Sequence, residues 1–149
     1  MPQYVYHSVD RNGRVSDGTM VADNERVLEA RLRDIDHWLV EAKEQKAKKA
    51  SGHGKVPRRD LIDFFSGATS LQMAGIPIAS TLSAMAEETE HPVLRRVLQD
   101  ISINVQAGNE VSESLRNYPD VFSDQVCNLV RAGEQSGSLT TIFQDIANH

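Results

Sequence analysis

The sequence predicts a mainly α protein in which a small ββαβ module precedes a six-helix antiparallel bundle. Three observations predict this class. Two β-rich runs flank an Asn-Gly pair near the start, a basic stretch without apolar periodicity follows, and apolar residues then recur at helical spacing to the end of the chain. We therefore assign residues 1–42 to the module, residues 43–59 to a flexible basic linker and residues 60–149 to a helical domain.

The module is predicted from its turn and its helix cap. An alternating β-rich run precedes Asn12-Gly13, and a second run follows this pair, which is a strong hairpin signal because both residues tolerate positive φ. Asp23 or Asn24 can then cap a helix, and residues 38–40 have the composition of a third strand. These elements give the order ββαβ.

The linker is predicted from the distribution of charge. The chain carries a formal net charge of −5, with −3 over residues 1–42, +6 over 43–59 and −8 over 60–149. Such a basic, Gly- and Pro-containing stretch favours a mobile tether, so the two flanking units should tumble partly independently. Attraction to an anionic membrane surface remains an alternative. Nucleic-acid binding is disfavoured, because no aromatic residues interleave the lysines and both flanking units are acidic.

In the helical domain, prolines, glycines and serines predict where helices begin and end. The first helix should end at Gly75, and Pro77 then suits the first turn of the second helix because its φ is fixed. The other predicted boundaries are Pro92 opening the third helix, Pro119 ending a brief fourth over residues 110–117, Ser123 capping the fifth and Ser138 capping the sixth.

A Gly-Glu-Gln-Ser-Gly motif, which includes Ser136, forms the predicted junction between the fifth and sixth helices. Gly133 lies on the apolar face, where the lack of a side chain would let another helix approach closely. Gly137 can take the left-handed conformation that ends a helix. For Glu134 three roles remain open: a bond to the free amides of the sixth helix, a partner or dimer contact, and a ligand to a divalent cation at such an interface.

The residues give no pattern typical of an enzyme. The five histidines are scattered, so we predict no metal site, and Cys127 lies mid-helix without a predicted activating base. The Gly52-to-Lys55 stretch fails the Walker pattern, since Lys49 and Val56 occupy positions that need Gly and Ser or Thr. We therefore predict no catalytic residues and no cofactor. The sequence also lacks a membrane-spanning apolar run and a signal peptide, so the chain as given should be soluble.

Several motifs together resemble one family. Near the start these are Tyr4-x-Tyr6, Gly13, Gly18-Thr19 and Ala22, and in the helical unit Phe65, Leu71, Ala74-Gly75-Ile76-Pro77, Gly108, Leu115, Pro119, Phe122 and Val130-Arg131-Ala132-Gly133-Glu134-x-Ser136-Gly137-x-Leu139. In order and spacing they are similar to the amino-terminal cytoplasmic region of the secretion system F family, the inner-membrane platform proteins of type II secretion systems and type IV pili. Residues 66–70 depart from the family pattern, which usually has Arg or Lys and Gln before Leu.

This resemblance implies a non-enzymatic assembly role at the cytoplasmic face of the bacterial inner membrane. The implied partners are the motor ATPase and other platform proteins, and we expect weak homodimerisation. Family members continue through membrane spans and a second helical domain, which implies that this chain is a soluble fragment. The alternative classes are an enzyme or regulatory domain and a nucleic-acid or membrane-surface binder acting through the basic linker. The sequence does not distinguish a secretion system from a pilus.

Overall fold

A computed structural model describes residues 2–45 and 55–148 of the chain. In these residues there are three strands and seven helices, so the prediction of a mainly α protein is confirmed. In chain order they are β1 (Gln3–Val9), β2 (Val15–Val21), α1 (Glu25–Asp34), β3 (Trp38–Gln45), α2 (Arg58–Met73), α3 (Ile78–Glu88), α4 (Pro92–Gln106), α5 (Val111–Arg116), α6 (Asp124–Ser136) and α7 (Leu139–Ala147).

The three strands form one antiparallel sheet with β1 in the middle, in the order β2-β1-β3. β1 and β2 form the predicted hairpin, and Val9 pairs with Val15 across its closed end. Gly13 has a φ of +83°, whereas Asn12 does not share the left-handed conformation, so the turn uses one residue of positive φ instead of two. A register shift at His7 and Ser8 interrupts the pairing of β1 with β3.

One face of the sheet is covered by α1, and the other is partly open. The Asn24 side chain accepts a hydrogen bond from the Val27 amide (2.9 Å), which confirms Asn24 as the cap of α1. Leu28 and Leu32 of α1 then pack on buried side chains of β1 and β2. On β3, Trp38 remains 46% exposed.

The predicted linker is shortened at both ends. β3 continues to Gln45, and α2 begins at Arg58, so residues 43–45 and 58–59 belong to regular elements. Val56 is also buried in the helical core. Our prediction of mobility covers residues 43–59, of which residues 46–54 lie outside the described residues.

The helical unit is built around a core of aromatic and aliphatic side chains from α2 to α7. Phe65 lies at its centre, with ring centroids 4.8 Å from Phe64, 5.2 Å from Phe143 and 6.3 Å from Phe122. α2 contacts both α3 and α7. The first helix of the unit, α2, therefore lies beside the last, α7. The antiparallel arrangement of all six helices stays a prediction.

Two helix boundaries differ from the sequence prediction. Pro77 precedes the first turn of α3 and does not lie within it: its ψ of 152° is extended, and Ile78 is the first helical residue. Ser138 precedes α7, but its side chain makes no capping hydrogen bond, so its role as a side-chain cap is wrong. Ser123 does cap α6, by accepting from the Val126 amide at 3.2 Å.

The module and the helical unit are in direct contact. Ile103 and Ala107 of α4 pack against the apolar core of the module. The hydrogen bonds that cross the boundary include Thr19 N–H to Asp100 Oδ1 (3.2 Å), Arg31 Nη1 to Asn109 Oδ1 (3.1 Å) and Gln3 Nε2 to Asn117 Oδ1 (2.9 Å). These contacts hold the module against α4 and the loops of the helical unit, and partly independent tumbling of the two units stays a prediction.

Candidate functional site

The Gly-Glu-Gln-Ser-Gly motif lies where α6 ends and α7 begins. Gly137 has φ +72° and ψ 24°, the left-handed conformation predicted for it. The next amide, on Ser138, donates back to the Gly133 carbonyl at 2.9 Å, which satisfies a carbonyl of the last turn of α6. The chain can therefore reverse from α6 into α7 within two residues.

Gly133 sets how closely α6 and α7 approach. A Cβ at this position would lie 2.8 Å from Ile142 Cγ1 and 3.3 Å from the backbone of Leu139, both on α7. Since real carbon atoms do not approach to 2.8 Å, the packing of α7 on α6 depends on a residue without a side chain here. This agrees with the prediction from the sequence.

Glu134 binds free helix amides, but of a different helix from the one predicted. Its Oε2 accepts from the Val111 amide at 2.6 Å, and its Oε1 accepts from the Ser112 amide at 3.0 Å. These amides open α5, whereas we expected the sixth helix of the unit, α7. The residue preceding α5, Glu110, makes no side-chain cap, so the carboxylate from α6 supplies it instead.

Ser136 contributes to the junction through local hydrogen bonds. Its hydroxyl donates to the Ala132 carbonyl at 2.9 Å, and its Oγ lies 2.6 Å from the Oγ of Ser138. Ser136 is exposed. Its side chain therefore helps to hold the turn while remaining on the surface.

Gly75 and Pro77 form the second predicted turn, between α2 and α3. Gly75 has φ +88°, and the Ile76 amide donates to the Leu71 carbonyl at 3.1 Å, as at the end of α6. Proline at 77 then removes an amide that would otherwise need a partner before α3. Both residues therefore shape the backbone between α2 and α3.

Pro119 and Phe122 lie in the connection from α5 to α6. The amides of Val121 and Phe122 both donate to the Tyr118 carbonyl at 3.0 Å, so the chain makes a compact turn around Pro119. This turn inserts Phe122, only 2% exposed, against Phe65 of α2. Phe122 therefore belongs to the core and also reaches the groove described next.

An apolar groove of about 830 Å³ opens beside this turn, and the sequence prediction did not find it. It runs between the start of α2, the start of α6 and the end of α7. Its apolar floor includes Leu61, Ile62, Val126 and Ile146, and Leu129 at its rim is 40% exposed. The sequence signal was weak, since Val126 and Leu129 have the same helical spacing as core residues.

The sequence prediction also missed a buried acid between the module and the helical unit. Asp100 of α4 is 2% exposed and accepts hydrogen bonds from the Tyr118 hydroxyl and the Thr19 amide. Burial raises the pKa of Asp100 to about 7, against the lowering effect of these two hydrogen bonds. Burial and the nearby Asp100 carboxylate both raise the pKa of Tyr118.

The remaining chemical groups are ordinary for a packed domain. Cys127 is buried in the helical core, and burial raises the pKa of its thiol, which disfavours the reactive thiolate. Over residues 2–45 and 55–148, no three His, Cys, Asp or Glu side chains are grouped as a metal site would need. Over the same residues, no helix has the length and apolarity that crossing a bilayer requires.

The fold and the junction together define a two-part protein: a small β-rich module packed on a helical unit with a Gly-Glu-Gln-Ser-Gly turn. Residues 68–149 match the family model described as type II secretion system protein F, and residues 1–43 match the model of the amino-terminal domain of that protein. The chain belongs to this family. The resemblance that the sequence motifs indicated is thereby confirmed.

Individual relatives come from both kinds of machine. The chain is 30% identical over 97% of its length to the type IV pilus assembly protein TapC of Aeromonas hydrophila. It is 31% identical over 99% of its length to the type IV pilus assembly protein PilC of Thermus thermophilus and 29% identical over its whole length to the type II secretion system protein F of Vibrio cholerae. The matched region covers 35%, 38% and 38% of these relatives, so the chain spans little more than a third of their length.

Proposed function

We propose that this chain is a non-enzymatic assembly module of the inner-membrane platform of a type II secretion system or a type IV pilus machine. In this proposal it lies at the cytoplasmic face of the membrane, and its helical unit is a six-helix antiparallel bundle that contacts the motor ATPase and other platform proteins. The main support is that two family models match the chain in succession, one on each of its two units. The relatives carry names from secretion and pilus assembly.

The acidic character of the helical unit supports a basic partner surface. Glu87, Glu88 and Glu90 are all exposed at the end of α3, and the last turn of this helix has no basic residue. Complementary charges mainly speed and orient such encounters, and they lose their effect as salt is added. We place the contact with the motor ATPase at this acidic end of α3.

This contact is tested by measuring the affinity of the chain for the cognate motor ATPase over a salt series. Neutralising Glu87→Gln, Glu88→Gln and Glu90→Gln together should weaken binding at least about tenfold at low salt, and less at high salt. The matched control neutralises three acids of the module, Asp23→Asn, Glu25→Gln and Glu29→Gln, and should leave the affinity within about twofold. Absence of binding by the unaltered chain overturns the ATPase contact, and equal effects of the two triple variants place it elsewhere.

The groove supports the expected homodimer. Arg58 and Asp145 both line the groove, and both residues are exposed. In a two-fold dimer the same patch faces itself, so Arg58 of one copy can meet Asp145 of the other while the apolar floors are buried together. A second copy of the chain is therefore the occupant that we propose.

Light scattering over a concentration series tests the dimer. The unaltered chain should approach twice its monomer mass at high micromolar concentration, and Leu129→Glu should remove this increase by placing a charge in the groove. Met73→Glu is the matched control, because Met73 is 65% exposed on the same unit but lies outside the groove. A chain that stays monomeric throughout, or a loss of dimer equal in both variants, contradicts the proposed surface.

A further inference from the structure

A cluster of buried polar groups joins the module to the helical unit around one carboxylate. Asp100 projects from α4, a helix of the helical unit, and accepts at Oδ1 from the backbone of Thr19 in β2. At Oδ2 it accepts from the hydroxyl of Tyr118, which follows α5. The carboxylate thus connects the helical unit to the module, since Thr19 and Asp100 are 81 residues apart in sequence.

Within residues 2–45 and 55–148, the groups that face this carboxylate carry no positive charge. From β1 comes the buried hydroxyl of Tyr6, from β2 the backbone at Gly18 and Thr19, and from its own helix the amide of Asn104, which donates to Oδ1 at 3.4 Å. The ion pairs described in residues 2–45 and 55–148 do not involve Asp100. Arg96 of α4 is exposed, and its charge acts on Tyr118. A buried carboxylate without a cation is costly when charged and much less so when protonated.

The space around the cluster is closely filled. Tyr6 Oη and Asp100 Oδ1 both lie within 2.6 Å of the point where a Cβ on Gly18 would be. In the described residues the Tyr6 hydroxyl has no hydrogen-bond partner, and it is fully buried. This oxygen borders the same space as Asp100, and as a neutral hydroxyl it brings no charge that would offset the charge of the carboxylate.

We propose that Asp100 is a proton-dependent latch that holds the N-terminal module on the helical unit. In the closed state the carboxyl group is protonated and buried between β2, Tyr118 and Tyr6. Loss of the proton leaves a buried charge that these hydrogen bonds stabilise less well than water does, so the module is released from α4 more easily. The latch is a property of the interface and does not depend on the proposed function.

The direction of the pH effect follows from proton linkage. The pKa of Asp100 is raised from 3.8 to about 7 in the docked state, and exposure on release returns it toward 3.8. The docked state therefore binds the proton more tightly, so docking is strongest at low pH and weakens as the pH rises from about 4 to about 7. Between pH 5 and pH 8 the docking constant should fall by about 10-fold to 100-fold.

Carbon-13 NMR of the side-chain carboxyl groups, recorded on the whole 149-residue chain, tests whether Asp100 is protonated near neutral pH. The Asp100 signal should titrate between about pH 6 and pH 8, and a midpoint below about 4.5, near that of an exposed aspartate, overturns the latch. Tyr118→Phe removes a hydrogen bond that stabilises the charged form, so it should move the midpoint to higher pH. A midpoint that stays in place or falls in this variant contradicts the assigned cluster.

Amide hydrogen exchange tests release of the module, with each rate divided by the intrinsic rate at the same pH. Protection of the Thr19 amide should fall by about 10-fold to 100-fold from pH 5 to pH 8, while the amide of Ile101, in the core of α4, keeps its protection. Equal loss at both amides means that the whole chain unfolds, which overturns the latch.

Asp100→Asn supplies the decisive variant, because it keeps the shape of the side chain without a titrating proton. Thr19 protection in this variant should be flat between pH 5 and pH 8. Asp63→Asn, which neutralises an exposed acid of α2, is the matched control and should retain the pH dependence of the unaltered chain. A persistent pH dependence in Asp100→Asn overturns the proposal. If that variant does not fold, the carboxyl titration and Tyr118→Phe decide.

Discussion

Two contact regions of this protein are built in different ways. The α6–α7 junction is made by residues close in sequence, and its essential components are a glycine of positive φ and a glycine without room for a side chain. The boundary between the module and the helical unit is made by residues far apart in sequence, through polar side chains such as Asp100 and Arg31. The first region is determined by backbone geometry and the second by the electrostatics of burial.

This difference separates what a substitution does at each region. At the junction, a change of residue forces the backbone into a conformation that an L-amino acid with a side chain rarely adopts, whatever the solvent conditions. At the boundary, a substitution alters the hydrogen-bonded cluster around Asp100, and the stability of this cluster depends on whether Asp100 is protonated. We therefore expect effects at the junction to be independent of pH and effects at the boundary to depend on it.

The largest effect should come from Gly18→Val at the boundary. A Cβ here would lie 2.6 Å from Tyr6 Oη and would also collide with Asp100, so the variant should lose roughly 3 kcal/mol of unfolding free energy. Urea denaturation monitored by circular dichroism measures it. The neighbouring Asp17→Ala, on an exposed side chain, should cost less than about 0.5 kcal/mol. A change at Gly18 as small as this control would mean that the boundary is not closely packed.

Gly137→Val should have the next largest effect, about 1–2 kcal/mol, which thermal denaturation at several pH values measures. No atom outside the adjoining residues lies within 4 Å of a Cβ at this position, so the cost comes from the backbone alone. Gly137→Asn is the control, since asparagine accepts the left-handed conformation more readily, and it should lose clearly less. Equal melting temperatures for Gly137→Val and the unaltered chain would show that the junction does not need a left-handed residue.

Glu134→Ala should cost about 1 kcal/mol, because the amides of Val111 and Ser112 lose their acceptor. Glu134→Gln keeps one acceptor oxygen, so its unfolding free energy should lie between those of Glu134→Ala and the unaltered chain. Hydrogen exchange should show the loss of protection at the start of α5, not at the start of α7. If protection is lost at the start of α7 instead, Glu134 caps α7, as the sequence predicted. Unchanged stability together with weakened dimerisation would indicate that Glu134 acts as a contact residue.

The smallest expected effect is at Ser138, and it separates two serines that look alike in the sequence. Ser123→Ala should cost about 1 kcal/mol because the Val126 amide loses its cap, whereas Ser138→Ala should cost only a few tenths. The pair is measured best by denaturation of the two single variants under identical conditions. A larger loss at Ser138 would mean that its contact with Ser136 matters more than the structure indicates.

The features predictable from the sequence are those that a residue determines within its own turn. Asn24, Ser123 and Gly137 were found because capping and positive φ depend on a few adjacent residues. The partner of Glu134 was not found because Val111 lies 23 residues earlier, and only the packing of α5 on α6 brings them together. Asp100 was missed for the same reason, since on α4 it resembles any polar residue until β2 covers it.

The exposed position of Trp38 on β3 has a practical consequence. It is the single tryptophan of the chain and lies in the module, while most helical residues belong to the other unit. Its fluorescence emission therefore monitors the module, and circular dichroism at 222 nm monitors mainly the helices. Superimposable melting curves from the two signals would show that the two units unfold cooperatively, and separated curves would give the module its own transition.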